Sequence, residues 1–128
     1  MNLLLDTHTF LWLVEGGPKL SAAAQAALAD PANELYLSAA SVWELAIKTG
    51  NKKLVLSDPL DLFVGKWTVA YQLAPLPIET AHALAVVGLP DHHRDPFDRI
   101  LIAQALVEGM TLVSADANVA AYPVPILW

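Results

Sequence analysis

At 128 residues, 55% hydrophobic and 16% charged, the chain is long enough to bury a core in one domain without cross-links. Cysteine is absent, which excludes disulfides, thiolate metal sites and a cysteine nucleophile, and agrees with a reducing cytosol. The net charge of −6, seven Lys/Arg against thirteen Asp/Glu, weighs against a basic nucleic-acid surface unless a bound metal reverses the sign locally.

Leu3-Leu4-Leu5 is a continuous apolar run that stops at Asp6 with no basic segment before it, so it reads as a buried strand and not a signal peptide. A helix continues from Thr9 to Val14 and ends at Gly16-Gly17-Pro18. Ser21 is placed to cap an alanine-rich helix, Ala22 to Ala29, which Asp30-Pro31 stops. Leu35-Tyr36-Leu37 reads as the second strand, and Ala40 to Thr49 as a helix with Gly50 at the C′ position. Asp58-Pro59 opens another helix with Pro in the first turn; its apolar residues Leu62, Phe63, Trp67 and Val69 follow helical spacing.

Leu76-Pro77-Ile78 is expected as the third strand and Thr80 to Val87 as a helix, followed by a polar loop from Gly88 to Arg94. Asp95-Pro96 starts the helix Phe97 to Glu108, closed by Gly109, and Thr111-Leu112-Val113 is the fourth strand. Ala115 to Ala120 suits a short helix, and Val124 to Leu127 a terminal edge strand, because Pro125 has no N–H for a ladder. Strands alternating with helices indicate one α/β domain over residues 1–128 with a mainly parallel sheet. No run approaches the roughly 18 uninterrupted apolar residues of a membrane span, so a soluble, cytoplasmic protein is expected.

In such sheets ligands bind outside the carboxyl ends of the strands. Asp6 follows the first strand there, Ser38 ends the second with Glu44 two turns on, and Ser114 and Asp116 follow the fourth. Asp98 lies in the first turn of a helix whose N-terminus should face the same side. Carboxylates gathered from distant parts of the chain repel one another, and a hard divalent cation such as Mg²⁺ or Mn²⁺ relieves that repulsion. Such an ion activates water and holds the charge that develops on a phosphate, which points to metal-assisted phosphodiester hydrolysis.

Each acid also has a local role open to it. Asp6 and Asp95 are placed as helix caps, Asp98 at the third helical position favours the helix dipole, and Asp116 suits a turn. Glu44, among Val42, Trp43, Leu45 and Ala46, is expected to be half-buried and to need a partner or a metal. The histidines lack zinc-motif spacing. His92-His93 reads as a solvated loop pair or, with Arg94 and Arg99, a phosphate contact; His8 and His82 read as structural or surface residues. Of Trp12, Trp43, Trp67 and Trp128, Trp43 is expected to fill the core and others to suit interfaces.

Leu4-Leu5-Asp6-Thr7-His8, Ser38 to Glu44, Arg94-Asp95-Pro96-Phe97-Asp98-Arg99 with Ile100 to Ala105, and Leu112-Val113-Ser114-Ala115-Asp116 together resemble the PIN domain, and more narrowly the VapC toxins of bacterial type II toxin–antitoxin pairs. The likeness runs along essentially the whole chain in the expected order. It implies a Rossmann-like three-layer α/β fold and an endoribonuclease dependent on Mg²⁺ or Mn²⁺. Asp6 and Asp98 match the family's most constant metal-site acids, Glu44 and Asp116 the second and fourth acids of the cluster, and Asp95 an extra acid of this subgroup. The fourth motif departs from the pattern, with Ser114-Ala115 where relatives often carry Thr and a basic residue.

The expected mechanism has Asp6, Asp98 and Asp116 hold, directly or through water, one or two ions that orient a water towards an RNA phosphodiester. Glu44 completes the shell or positions that water. Thr7 and Ser114 supply hydroxyls, and Arg94, Arg99 and Lys48 hold flanking phosphates. The resemblance also implies a homodimer and a small antitoxin that blocks the site. The same acids would serve an RNA-processing enzyme or a structure-specific DNA nuclease. An aspartyl phosphatase would want a second acid where His8 stands, and a non-catalytic nucleic-acid-binding module would be expected to have lost one of the four acids.

Overall fold

Five short strands frame the computed structural model, which describes residues 1–128. They are β1 (Asn2–Leu5), β2 (Glu34–Ser38), β3 (Leu73–Leu76), β4 (Thr111–Val113) and β5 (Ile126–Leu127), in the order β3-β2-β1-β4-β5. Every neighbouring pair is parallel. The leucine-rich strands do not alternate with polar residues because helices cover both faces. Leu3, Leu5 and Val113 face one cluster, with Phe10, Ala24, Leu45 and Phe63. Leu4 and Leu112 face the other, with Leu101, Ile102, Ala105 and Val119. The covering helices are α1 (Thr7–Val14), α2 (Ala22–Ala29), α3 (Ala39–Gly50), α4 (Leu60–Ala70), α5 (Thr80–Ala85), α6 (Pro96–Glu108) and α7 (Ala117–Ala120).

The register aligns the carboxyl ends of the three central strands. Leu5 of β1 stands opposite both Leu37 of β2 and Val113 of β4. Asp6, Ser38 and Ser114 therefore leave the sheet side by side, and the Asp6 amide still bonds the Val113 carbonyl at 3.2 Å.

Several elements differ from the expectation. The third strand is Leu73–Leu76, upstream of Leu76-Pro77-Ile78. It carries Pro75, which β3 tolerates because it is an edge of the sheet. Pro59 precedes α4 at its N-cap position and is not inside the first turn. Gly50 does not close α3 in a left-handed conformation; Lys52 takes the positive φ, 63°, inside a turn held by Asn51 Oδ1 accepting from the Lys53 amide at 3.1 Å. The α5 helix gives way to a 3₁₀ turn at Val86–Gly88. Trp43 is 58% exposed, not core: α3 buries Ala40, Ser41, Glu44 and Leu45, and Trp43 falls beside that face. Gly109 ends α6 with φ 68°, the left-handed conformation that glycine reaches without a Cβ clash.

A buried polar bolt ties α6 to the sheet edge. Ser38 donates to Gln104 Oε1 at 2.6 Å, and Gln104 Nε2 donates to the Pro77 carbonyl at 3.2 Å. Gln104 and Ser38 are both 0% exposed. Gln104→Leu keeps the volume and strands both partners, so it is expected to lower stability by about 2–3 kcal/mol. Chemical denaturation reads this as a lower midpoint at unchanged slope, and a midpoint equal to the parent's would show that the bolt contributes nothing.

Candidate active site

Asp6 caps α1: its Oδ1 accepts from the Thr9 amide at 2.7 Å. Asp116 caps α7 in the same way, with Oδ1 accepting from the Asn118 amide at 2.9 Å. Asp95 caps α6, accepting from the amides of Phe97 at 2.9 Å and Asp98 at 3.1 Å. Asp98 therefore sits in the first turn without being the cap, and its Oδ2 lies 3.0 Å from His93 Nε2.

The local roles open to these acids are thus real, and they do not use the acids up. In Asp6, Asp98 and Asp116 one carboxylate oxygen is tied within the chain and the other makes no hydrogen bond to it. Tied oxygens hold each carboxylate in place, and free oxygens leave an acceptor facing outward. Asp6 and Asp116 line one depression of about 260 Å³ with His8, Trp12 and Ala115. Asp98 is electrostatically part of the same group. Burial pushes its carboxyl up to about 6 from 3.8; the hydrogen bond from His93 pulls it back, and the negative charges of Asp95 and Asp116 push it up further.

Glu44 differs from the three aspartates. Its Oε1 accepts from the Thr7 hydroxyl at 2.8 Å and its Oε2 from Lys48 at 2.7 Å. The burial expected of it is present, at 8% exposure, and both oxygens already have partners in the chain. Thr7 gives its one proton to Glu44 and accepts from Ser41 across 3.1 Å, which pins α1 to α3 just beyond Asp6. Ser114 is 2% exposed, and its hydroxyl accepts from the Asp116 amide at 3.1 Å. Thr7 and Ser114 act here on the acids' placement.

Two of the three residues expected to contact phosphate are engaged within the chain. Arg99 is folded into the loop before α6, its Nη1 donating to the Pro90 carbonyl at 2.7 Å and to the Tyr122 hydroxyl at 2.8 Å. Lys48 is held by the Glu44 ion pair one helical turn away. Arg94 alone is exposed and makes no ion pair.

His93, read from the sequence as part of a solvated loop pair or as a phosphate contact with Arg94 and Arg99, is the residue brought to the acids unexpectedly. No spacing signal marked it, because its second partner, Tyr122, lies 29 residues away. His82 is structural as expected. It is 1% exposed, and its Nδ1 accepts from the Glu79 amide at 2.9 Å, so its N–H is left on Nε2, 3.3 Å from Glu108.

The raised Asp98 value has a consequence for stability. The folded state holds this proton more tightly than the unfolded chain, so the contribution is fully present below about pH 4 and is lost as pH rises through about 6. Without metal, Asp98→Asn is therefore expected to exceed the parent in stability by about 1–2 kcal/mol at neutral pH. That gain should vanish near pH 4, as denaturation at the two pH values would reveal. An equal effect at both would contradict a buried, destabilised charge.

The sequence model of the PIN domain matches residues 3–124. Ribonuclease VapC22 of Mycobacterium tuberculosis (strain ATCC 25618 / H37Rv) is 30% identical over 125 residues, 97% of this chain and 94% of that protein. Among solved structures, VapBC2 from Rickettsia felis bound to a DNA fragment from its promoter superposes with a TM-score of 0.72 at 14% identity, covering 98% of this chain and 97% of that one. VapBC-1 from nontypeable Haemophilus influenzae gives a TM-score of 0.64 at 16% identity, over 98% and 96% of the two chains. The structural likeness establishes the fold, and the sequence matches establish kinship: the chain belongs to the PIN-domain family, within its VapC group.

Proposed function

We propose that the chain is a metal-dependent endoribonuclease, the toxin of a type II toxin–antitoxin pair, acting in the cytoplasm. One observation carries the reading: Asp6, Asp98 and Asp116 each offer an untied carboxylate oxygen at one edge of the sheet. The relative named Ribonuclease VapC22 supports the activity class.

The donor set suits a hard cation, being all oxygen. No three acids or histidines stand close enough to cage an ion by themselves. A cation at this edge would therefore be taken directly by at most two of the carboxylates, with water filling the rest of its shell. Bound there, Mg²⁺ or Mn²⁺ would supply Lewis-acid stabilisation of the phosphate and a more acidic water. Asp6, Asp98 and Asp116 would hold it between them, directly or through its waters.

The chain's own residues do the rest. Thr9 and Asn118 fix two of the carboxylates through their amides, and His93 fixes the third. Glu44, through Thr7, holds the turn that carries Asp6, and Arg94 is free to meet a flanking phosphate. The cluster concentrates negative charge where an anionic substrate must approach, so neutralisation at this edge precedes RNA binding.

The likeness to the VapBC structures supports an antitoxin as the partner; that it is small and covers this site is part of the same proposal. A homodimer belongs to the same reading. Exposed Trp43 and Val69 beside an apolar groove of about 670 Å³, lined by Val42, Val64, Leu73 and Leu76, offer surface for protein contact. No helix is long and apolar enough to cross a membrane.

Asp6→Asn and Asp98→Asn are each expected to lower Mg²⁺-dependent RNA cleavage by roughly 100-fold or more, with Glu44→Gln less severe. Co-expression with the adjacent open reading frame should relieve a growth arrest that the wild type causes and Asp98→Asn does not. Cleavage that survives chelation, or that survives Asp98→Asn, would overturn the reading. Asp98 must also surrender its proton before it can take a cation. Mn²⁺ affinity, measured by calorimetry, should therefore fall about tenfold per pH unit below about 6 and level off above it.

A further inference from the structure

His93 lies in the loop before α6, five residues ahead of Asp98. Its ring is the middle of a hydrogen-bonded chain that joins three segments. Arg99 Nη1, in the first turn of α6, lies 2.8 Å from the Tyr122 hydroxyl. Tyr122, 3% exposed in the connection between α7 and β5, lies 2.8 Å from His93 Nδ1. His93 Nε2 then lies 3.0 Å from Asp98 Oδ2. The hydroxyl accepts from Arg99, and its own proton has two acceptors in reach, the His93 carbonyl at 3.3 Å and, closer, Nδ1 at 2.8 Å; we assign it to Nδ1. That assignment leaves the Nε2–H of a neutral imidazole aimed at the carboxylate.

The three aspartates explain why such a donor is needed here and nowhere else in the cluster. Asp6 and Asp116 are caps, so a backbone amide of their own helix fixes one oxygen of each. Asp98 stands at the third helical position, and the amides of that turn are already taken by Asp95. No local backbone donor reaches the Asp98 carboxylate; its anchor comes from a side chain. His93 is itself anchored, since its amide lies 3.3 Å from the Tyr122 hydroxyl and Arg99 grips the Pro90 carbonyl at the start of the same loop.

We propose that His93, backed by Tyr122 and Arg99, is a positioning residue that holds Asp98 Oδ2 and so presents Oδ1 to the site. It does for Asp98 what the amides of Thr9 and Asn118 do for Asp6 and Asp116. The proposal rests on reading Asp98 as a metal-holding acid. The competing role is a staple that merely secures the loop before α6.

The test compares His93→Ala, His93→Gln and Tyr122→Phe in the full chain. In the metal-free parent, the three-bond couplings of Asp98 should report a single χ1 rotamer, and in His93→Ala an average of several. Mn²⁺ affinity and kcat on RNA should each fall about 10- to 100-fold in His93→Ala, with KM held within about threefold. His93→Gln, whose side-chain amide can donate in place of Nε2, should recover most of the affinity, and Tyr122→Phe should fall between. If His93→Ala fails to fold, the other two variants decide the matter. An Asp98 rotamer and Mn²⁺ affinity untouched by the loss of His93, or a glutamine no better than alanine, would leave only the loop staple. A parent that binds no Mn²⁺ would instead remove the metal reading, and the rotamer comparison would still show whether His93 orients Asp98.

Discussion

The register of the parallel sheet is the constraint on which the rest depends. Leu5 faces Leu37 on one side and Val113 on the other, so three chain segments reach the carboxyl edge at one level. The apolar contacts of Leu3, Leu4 and Leu5, all 0% exposed, enforce that level. Both faces are apolar, so a slip of one residue is resisted at the ends of the run, where it would carry exposed Asn2 or the charge of Asp6 into the buried stretch. Because the strands end together, the residues that follow them become neighbours although they are more than a hundred positions apart. Placement of Asp6 beside Ser114 is thus a by-product of core packing, and the chemistry proposed for the site is built on that by-product.

At this edge the same residues serve the fold and the site. A helix begins just after β1 and another just after β4, and both need acceptors for their first amides. Aspartate meets that need with one oxygen and retains a second. A serine or threonine cap would satisfy the helix and leave no negative oxygen over. The cost is electrostatic. Burial and two neighbouring acids raise Asp98 to about 6, so the fold carries an acid whose charged form is penalised. Stability is lower at this edge than it need be, as the proposed cation site would require of a cluster of acids without its cation.

Much of this was legible in the sequence because it is local. The triplet Leu3-Leu4-Leu5, the cap at Ser21, the Asp95-Pro96 helix start and the Gly109 stop each depend on a few adjacent residues, and each lies where expected. The elements that moved depend on distant partners. Pro75 is acceptable in β3 only because that strand is an edge, which strand order decides. Trp43 is turned outward by the face that α3 buries against its neighbours. Glu44 meets Thr7, and Arg99 and His93 meet Tyr122, only across the fold, which no local spacing announces. Residue identity showed which acids could matter; only geometry distinguished the aspartates, each with an untied oxygen, from Glu44, whose oxygens are both engaged.

The central claim is that those untied oxygens of Asp6, Asp98 and Asp116 form a divalent-cation site. Anomalous diffraction from crystals of the protein equilibrated with Mn²⁺ tests it most directly. The expected result is a manganese peak at the carboxyl edge of the sheet in contact with at least two of the three aspartates, while the Glu44–Lys48 pair remains closed. Saturating Mn²⁺ with no peak at that edge, or a peak held by Glu44 in place of the aspartates, would contradict it.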